Sequence, residues 1–331
     1  MRAAVIGAGA WGTALADLLA SNGHDTTIWA LEPNVADTIR SCHENQRFLQ
    51  GFKLAPSLRA TNDLHEALDR ASFVVYAVPS QHLRGVAREG TSAVAPGAVL
   101  SIASKGIERG TLALMTTVIE EEVPGRPVVA ISGPSFASEV AARQPTAIVA
   151  ASTDERAALV TQDALSSNSF RVYTNDDVVG VELGGALKNV MAVATGIVEG
   201  VGLGHNSRAA LITRGLHEMT KLGVALGGRL ETFAGLAGMG DLVLTCTGSL
   251  SRNRSLGVAL GQGKKLEAIL SETRAVAEGV KTSKAVQEIA TRHEIEMPIA
   301  SEMYRVMYEG QPARTALQRL MSRSLKAESD L

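Results

Sequence analysis

The first twenty residues constrain this chain more than any other segment. A short apolar run, Ala3-Ala4-Val5-Ile6, passes directly into Gly7-Ala8-Gly9-Ala10-Trp11-Gly12. The residues that follow, Thr13-Ala14-Leu15-Ala16-Asp17-Leu18-Leu19-Ala20, have helical periodicity. A G-x-G-x-x-G carries meaning only in that setting, after a strand and at the start of a helix. Gly7 permits the tight turn, Gly9 lets a pyrophosphate approach the backbone, and Gly12 lets the helix pack closely on the strand. The helix start, Ala10 and Trp11 included, offers unpaired N–H groups and the positive end of the helix dipole to phosphates. Dinucleotide binding is expected here, against the plainer reading of a structural glycine turn.

At 331 residues the chain exceeds what one hydrophobic core usually spans, so two domains are expected. Up to about residue 174, β-branched runs alternate with helical stretches; the runs fall at 3–6, 26–29, 73–77, 99–102, 128–131, 147–150 and 170–173. That alternation argues for βαβ units in a mostly parallel sheet. After Asn175 the strand-like runs vanish, and helical patterns follow at 178–199, 208–225, from 232 onward, 251–260, 280–292 and 299–308. The expected fold class is α/β: a Rossmann-like, mostly parallel sheet domain over residues 1–178, then an all-α domain over 179–331. The polar tail from residue 322 is expected to fray.

Composition excludes several other classes. The apolar fraction of 45% and charged fraction of 20% are those of an ordinary globular protein. A net charge of −2 makes no electrostatic case for nucleic acid or an anionic membrane as partner. Cys42 and Cys246 lie far apart, in no disulfide framework and no metal-ligand spacing. The chain opens on a strand rather than a signal segment, and no run of about 18 apolar residues reads as a membrane span. A cytoplasmic location is the expectation, with a small molecule as partner.

Polar motifs follow the strand-like runs. Val78-Pro79-Ser80 comes after the third, Ser104-Lys105-Gly106 after the fourth, and Ser132-Gly133-Pro134-Ser135-Phe136-Ala137 after the fifth. Ligands of open parallel sheets bind beyond the carboxyl ends of the strands, so these loops and the glycine turn point to one site. The second run ends in Ala30-Leu31-Glu32-Pro33. An acid there suits an NAD ribose, and a base suits the 2′-phosphate of NADP. Glu32 fits NAD, with a solvated loop acid as the alternative; NADP stays open, because Arg40 and Arg47 stand too far along to be placed from sequence.

Two lysines attract attention. Lys105, between Ser and Gly at a strand's carboxyl end, can aim its ammonium at a ligand; a surface lysine is the alternative. Lys188 sits beside an apolar stripe of Leu183, Leu187, Val190, Met191 and Ala194, on a face with Val181, Gly184, Ala192 and Thr195. An amine half-sunk among small residues loses solvation and becomes a credible proton donor, unless it snorkels to water. Asn189 beside it can orient the amine. Asp241, after Gly238-Met239-Gly240, occupies the position of a helix cap or first-turn acid. Ser251-Arg252-Asn253-Arg254 presents two guanidinium groups at a helix start, a good phosphate seat. With no zinc-binding His pattern, no G-x-S-x-G and no reactive cysteine context, hydride transfer is the chemistry left.

Together these segments resemble the bacterial-type NAD(P)-dependent glycerol-3-phosphate dehydrogenases. The resemblance runs from Gly7 to about Tyr308. It rests on the glycine turn, Ser104-Lys105-Gly106, Ile131-Ser132-Gly133-Pro134-Ser135-Phe136-Ala137, Leu183-Gly184-Gly185-Ala186-Leu187-Lys188-Asn189, Gly240-Asp241-Leu242-Val243-Leu244-Thr245-Cys246 and Ser251-Arg252-Asn253, in that order. It implies reduction of dihydroxyacetone phosphate to sn-glycerol 3-phosphate for phospholipid synthesis, with NAD or NADP and no metal.

By the same resemblance, Lys188 is the proton donor to the C2 oxygen. Lys105, Gly133, Ser135, Asp241, Ser251, Arg252 and Asn253 contact substrate, Arg252 taking its phosphate. Gly7, Gly9, Ala10, Trp11, Gly12, Glu32, Lys105, Ala137, Arg252, Val276 and Glu278 contact the cofactor. The resemblance also leaves a homodimer open. The chain departs from the family at Leu31, where many bacterial members carry His or Arg, which weakens the case for NADPH. The competing readings are a related dehydrogenase of carboxylated hydroxy acids, a non-catalytic dinucleotide sensor, and a purely structural scaffold.

Overall fold

The computed structural model describes residues 1–272, 277–325, 327 and 328. The chain forms two compact units, one of Met1–Glu108 with Ala113–Glu182 and the other of Arg109–Leu112 with Leu183–Leu331.

The first unit holds one sheet of eight strands: β1 (Arg2–Ile6), β2 (Asp25–Trp29), β3 (Arg59–Thr61), β4 (Phe73–Tyr76), β5 (Val99–Ile102), β6 (Val128–Ser132), β7 (Thr146–Ala151) and β8 (Phe170–Asn175). Their order is β3-β2-β1-β4-β5-β6-β7-β8. All neighbours are parallel except β6 and β7. The chain runs outward from β1 through β2 to β3, then returns to β4 on the other side of β1. The topological switch point, where open sheets bind ligands, therefore lies beyond the end of β1. Ile6 stands opposite both Trp29 and Tyr76, and Tyr76 stands opposite Ile102. Four strands thus end level, and the loops after them start level.

The central strands β1, β4, β5 and β6 are buried on both faces, which is why they read as near-continuous apolar runs, whereas the edge strand β8 alternates buried and exposed residues. Ala3 and Val5 pack with Leu15, Leu19, Phe73 and Val75 in one core. Ala4 and Ile6 pack with Val74, Tyr76, Leu100 and Ile102 in the other. β3 was not expected, because three residues, Arg-Ala-Thr, at a sheet edge carry almost no pattern.

The second unit is helical, as expected. The helix Val178–Gly200 begins in the first unit and is buried on every side from residue 181 to 198. By length and mean hydropathy it could cross a membrane, but Glu182, Lys188 and Glu199 interrupt its apolar run and 94% of its most apolar window is buried within the protein. A helix apolar all round is a core helix. It crosses the helix Arg252–Gly261 at backbone contact: a Cβ on Gly196 would lie 2.1 Å from the carbonyl oxygen of Arg254, and one on Gly200 would lie 2.2 Å from that of Val258. Only glycine allows that approach. Elsewhere in this unit the buried carboxylate of Glu218 accepts the N–H groups of Ile299 (2.7 Å) and Ala300 (3.2 Å) at the start of the helix Pro298–Tyr308.

Candidate active site

Beyond β1, Gly7 has φ +116°, a region open to glycine and strained for other residues. A Cβ on Gly12 would sit 1.9 Å from the carbonyl oxygen of Gly7, so the helix Ala10–Ser21 starts as close to the strand as backbone allows. A Cβ on Gly9, by contrast, would meet nothing within 4 Å. That open face is the space a pyrophosphate needs. Gly9 is the N-cap and no side chain caps the helix; its first ladder bond is Thr13 N–H to the Gly9 carbonyl, at 2.9 Å. The amides of Ala10, Trp11 and Gly12 therefore precede the ladder and remain as the kind of donors an anion can accept from. The buried Nε1 of Trp11 has no hydrogen-bond partner among the described residues. These features fit a dinucleotide.

The turn has a brace that sequence reasoning missed. Asn45, fully buried, donates through Nδ2 to the carbonyl of Ala8 and to Oγ1 of Thr13, both at 2.8 Å. Its Oδ1 accepts the N–H groups of Arg47 (3.2 Å) and Phe48 (2.9 Å). The only signal in the sequence was an asparagine in a polar loop, which usually marks a turn.

At the end of β2, Glu32 precedes the helix Pro33–Cys42 and its carboxylate lies 3.4 Å from Nη1 of Arg47. Beyond β5 and β6, Lys105 Nζ donates to the carbonyl of Gly133 at 3.2 Å, and Ser135 Oγ donates to the same oxygen at 3.0 Å. The structure thus brings Lys105, Gly133 and Ser135 together. Ser104 fixes the Lys105 loop by donating to the carbonyl of Val78 at 2.5 Å. Ala137 opens the helix Ala137–Ala141 just past Ser135.

In the second unit the buried Lys188 Nζ donates to Asp241 Oδ1 at 2.6 Å and to Thr245 Oγ1 at 2.9 Å. Asp241 and Thr245 are themselves buried, and the Thr245 hydroxyl donates to the Asp241 carbonyl at 2.6 Å. Lys188 does not snorkel. Of its two expected positions Asp241 takes the second, a first-turn acid: it is the first residue of Asp241–Thr247, behind the π-helical turn Leu236–Gly240, and its side chain goes to the lysine rather than to a cap. Thr245 carries no role in the sequence reading, because a threonine within an apolar helix gives no sign of a partner 57 residues away. Burial pushes the neighbouring Cys246 thiol up to about 12, so it stays protonated and unreactive.

Ser251 caps the helix Arg252–Gly261 by accepting the Arg254 N–H at 3.2 Å. Of the two guanidinium groups expected there, Arg254 is taken: its Nη2 reaches both carboxylate oxygens of Glu199, at 2.8 and 2.7 Å. Arg252 is exposed at the first turn. Asn253 is buried; its Nδ2 donates to Asn189 Oδ1, and its Oδ1 accepts the Gly279 N–H, both at 2.9 Å. It therefore ties the residue after Lys188 to the residue after Glu278. Val276 lies outside the described residues.

Two family profiles match the chain: the N-terminus of NAD-dependent glycerol-3-phosphate dehydrogenase over residues 2–158, and its C-terminus over 177–318. Among curated proteins, the glycerol-3-phosphate dehydrogenase (NAD(P)+) of Geobacter sulfurreducens is 55% identical over 330 residues, covering 99% of this chain and 98% of its own. The chain belongs to the NAD-dependent glycerol-3-phosphate dehydrogenase family. The Myxococcus xanthus member is 48% identical over 331 residues, with 99% of each chain covered. The crystal structure of glycerol-3-phosphate dehydrogenase from Coxiella burnetii superposes with a TM-score of 0.94 at 39% identity, covering 97% of this chain and 99% of that one. Membership agrees with the α/β-then-α plan. In glycerol-3-phosphate dehydrogenase terms, the glycine turn belongs to the N-terminal profile, and Lys188, Asp241 and Arg252 belong to the C-terminal one.

Proposed function

We propose that this chain reduces dihydroxyacetone phosphate to sn-glycerol 3-phosphate with NADH or NADPH, reversibly, and supplies glycerol 3-phosphate for phospholipid synthesis. Lys188 is its general acid and base. One observation carries the reading beyond family membership: the buried amine of Lys188, held by a carboxylate and a hydroxyl. Residues 1–178 serve as the dinucleotide-binding domain and 179–331 as the substrate domain.

When bound, the nicotinamide supplies the hydride that reaches C2 of the substrate. The amides of Ala10, Trp11 and Gly12 hold the pyrophosphate, and the open face of Gly9 admits it. Lys188 faces the C2 oxygen, stabilises the negative charge growing there and gives up its proton; in reverse it removes one. Asp241 and Thr245 fix the direction of the amine. Lys105, Gly133, Ser135 and Asn253 position the substrate, and the exposed guanidinium of Arg252 receives its phosphate. Ala137 and Glu278 line the cofactor, and Ser251 acts on the substrate through the helix start it caps. The reaction is placed in the cytoplasm, where both phosphorylated substrate and dinucleotide are available. A homodimer is part of the proposal; light scattering tests it against the 34.7 kDa monomer.

The deciding assay measures cofactor oxidation on mixing with dihydroxyacetone phosphate and with a panel of keto acids. Turnover confined to the keto phosphate is expected. Preference for a carboxylated substrate contradicts the reading.

A further inference from the structure

We infer that Arg47 and Glu32 form a two-way cofactor selector at the end of β2: Glu32 receives a ribose with a free 2′-hydroxyl, and Arg47 receives a ribose 2′-phosphate. The inference rests on the dinucleotide-binding reading above and adds to it the residue that admits NADP.

Arg47 stands fifteen positions beyond Glu32 in sequence but beside it in space, with Nη1 3.4 Å from Glu32 Oε1. Its backbone is not loose. Asn45 accepts the Arg47 N–H while donating to Ala8 in the glycine turn, so the loop that carries Arg47 is stitched to the phosphate-binding end of the unit. The guanidinium lies over the Phe48 ring, 5.0 Å from its centroid. The other arginines of this region are engaged elsewhere: Arg40 with Asp37 on its own helix, and Arg59 with Asp25 at the opposite end of β2. Leu31, the residue before Glu32, is 73% exposed and brings no charge.

The pair is built to open. Arg47 is 45% exposed and Glu32 31%. Such ion pairs are weakly held and screened by salt, so exchanging one anion for another at Arg47 meets little resistance. A ribose 2′-hydroxyl donates to the Glu32 carboxylate and leaves the pair intact. A 2′-phosphate is repelled by Glu32 and matched by the guanidinium fork, which swings from carboxylate to phosphate. Neither dinucleotide is excluded, and each uses one member of the pair.

Calorimetric binding of NADP+ and NAD+ to the full chain tests this, alongside initial rates with NADPH and NADH. Arg47→Leu is expected to weaken NADP+ roughly ten- to hundredfold, the scale of charged hydrogen bonds, while NAD+ stays within about threefold. Retained NAD+ affinity shows that the variant is folded. Arg47→Lys should recover part of the NADP+ affinity, and Glu32→Gln should weaken NAD+ while leaving NADP+ equal or tighter. Adenosine 2′,5′-bisphosphate against 5′-AMP should show the same split without the nicotinamide end. Parallel loss of both dinucleotides in Arg47→Leu, no change in either, or a wild type that binds NAD+ alone overturns the selector. If the split holds but no keto phosphate is reduced, the reaction falls and the selector stands.

Discussion

Lys188 Nζ lies 2.6 Å from Asp241 Oδ1, across 53 residues of sequence, and both side chains are buried. Deleting one partner of a buried pair strands the other as an uncompensated charge. Asp241→Ala is therefore expected to destabilise the protein by about 3–5 kcal/mol. Adding Lys188→Ala should restore part of that loss, because the stranded charge goes with it. Urea unfolding of the two single variants and the double variant measures the coupling; strict additivity would show that the pair does not interact.

The glycine turn separates packing from ligand space at two positions. A Cβ at Gly12 collides with the Gly7 carbonyl oxygen, whereas one at Gly9 enters open space. Gly12→Ala should lower thermal stability and cofactor affinity together. Gly9→Ala should melt like the wild type and still bind NADH more weakly. Differential scanning fluorimetry with a fluorescence titration distinguishes the two patterns.

Arg252 is exposed at the first turn of its helix, while Arg254 is held by Glu199. Arg252→Ala should raise KM for dihydroxyacetone phosphate roughly tenfold or more, the scale of a lost charge-assisted hydrogen bond, and change kcat much less. Unchanged KM on steady-state assay would remove the phosphate role.

Burial pushes the Glu218 carboxyl up to about 7, although the N–H groups of Ile299 and Ala300 pull it down. Its folded pKa lies above its unfolded value, so between about pH 4.5 and 7 the native state binds more protons than the unfolded one. Its contribution to stability is greatest below that window and falls as pH rises through it. Glu182, raised to about 7 by burial despite hydrogen bonds from Thr116, acts in the same direction. Denaturant midpoints taken from pH 5 to 8 should fall less steeply in Glu218→Gln than in the wild type. Identical slopes would contradict the assignment.

The strands that flank the switch point were legible because burial on both faces writes them as unbroken apolar runs. The reversal between β6 and β7 was not, since a run of Val and Ala has the same pattern in either direction. Lys188 stood out as a polar residue within an apolar helix. Its pairing did not: Asp241 reads as a first-turn acid and candidate contact but not as the lysine's partner, and Thr245, 57 residues away, carries no sequence signal of one. Asn45 and Arg47 act through tertiary hydrogen bonds and an ion pair, for which a single sequence carries no periodic signal.

Turnover of Lys188→Ala decides whether this amine delivers the proton. The expected fall in kcat for dihydroxyacetone phosphate is about 100-fold or more, the scale of a general acid, with NADH affinity nearly unchanged. Added primary amine should restore part of the lost rate. A variant that turns over within a few-fold of the wild type would show that another group delivers the proton.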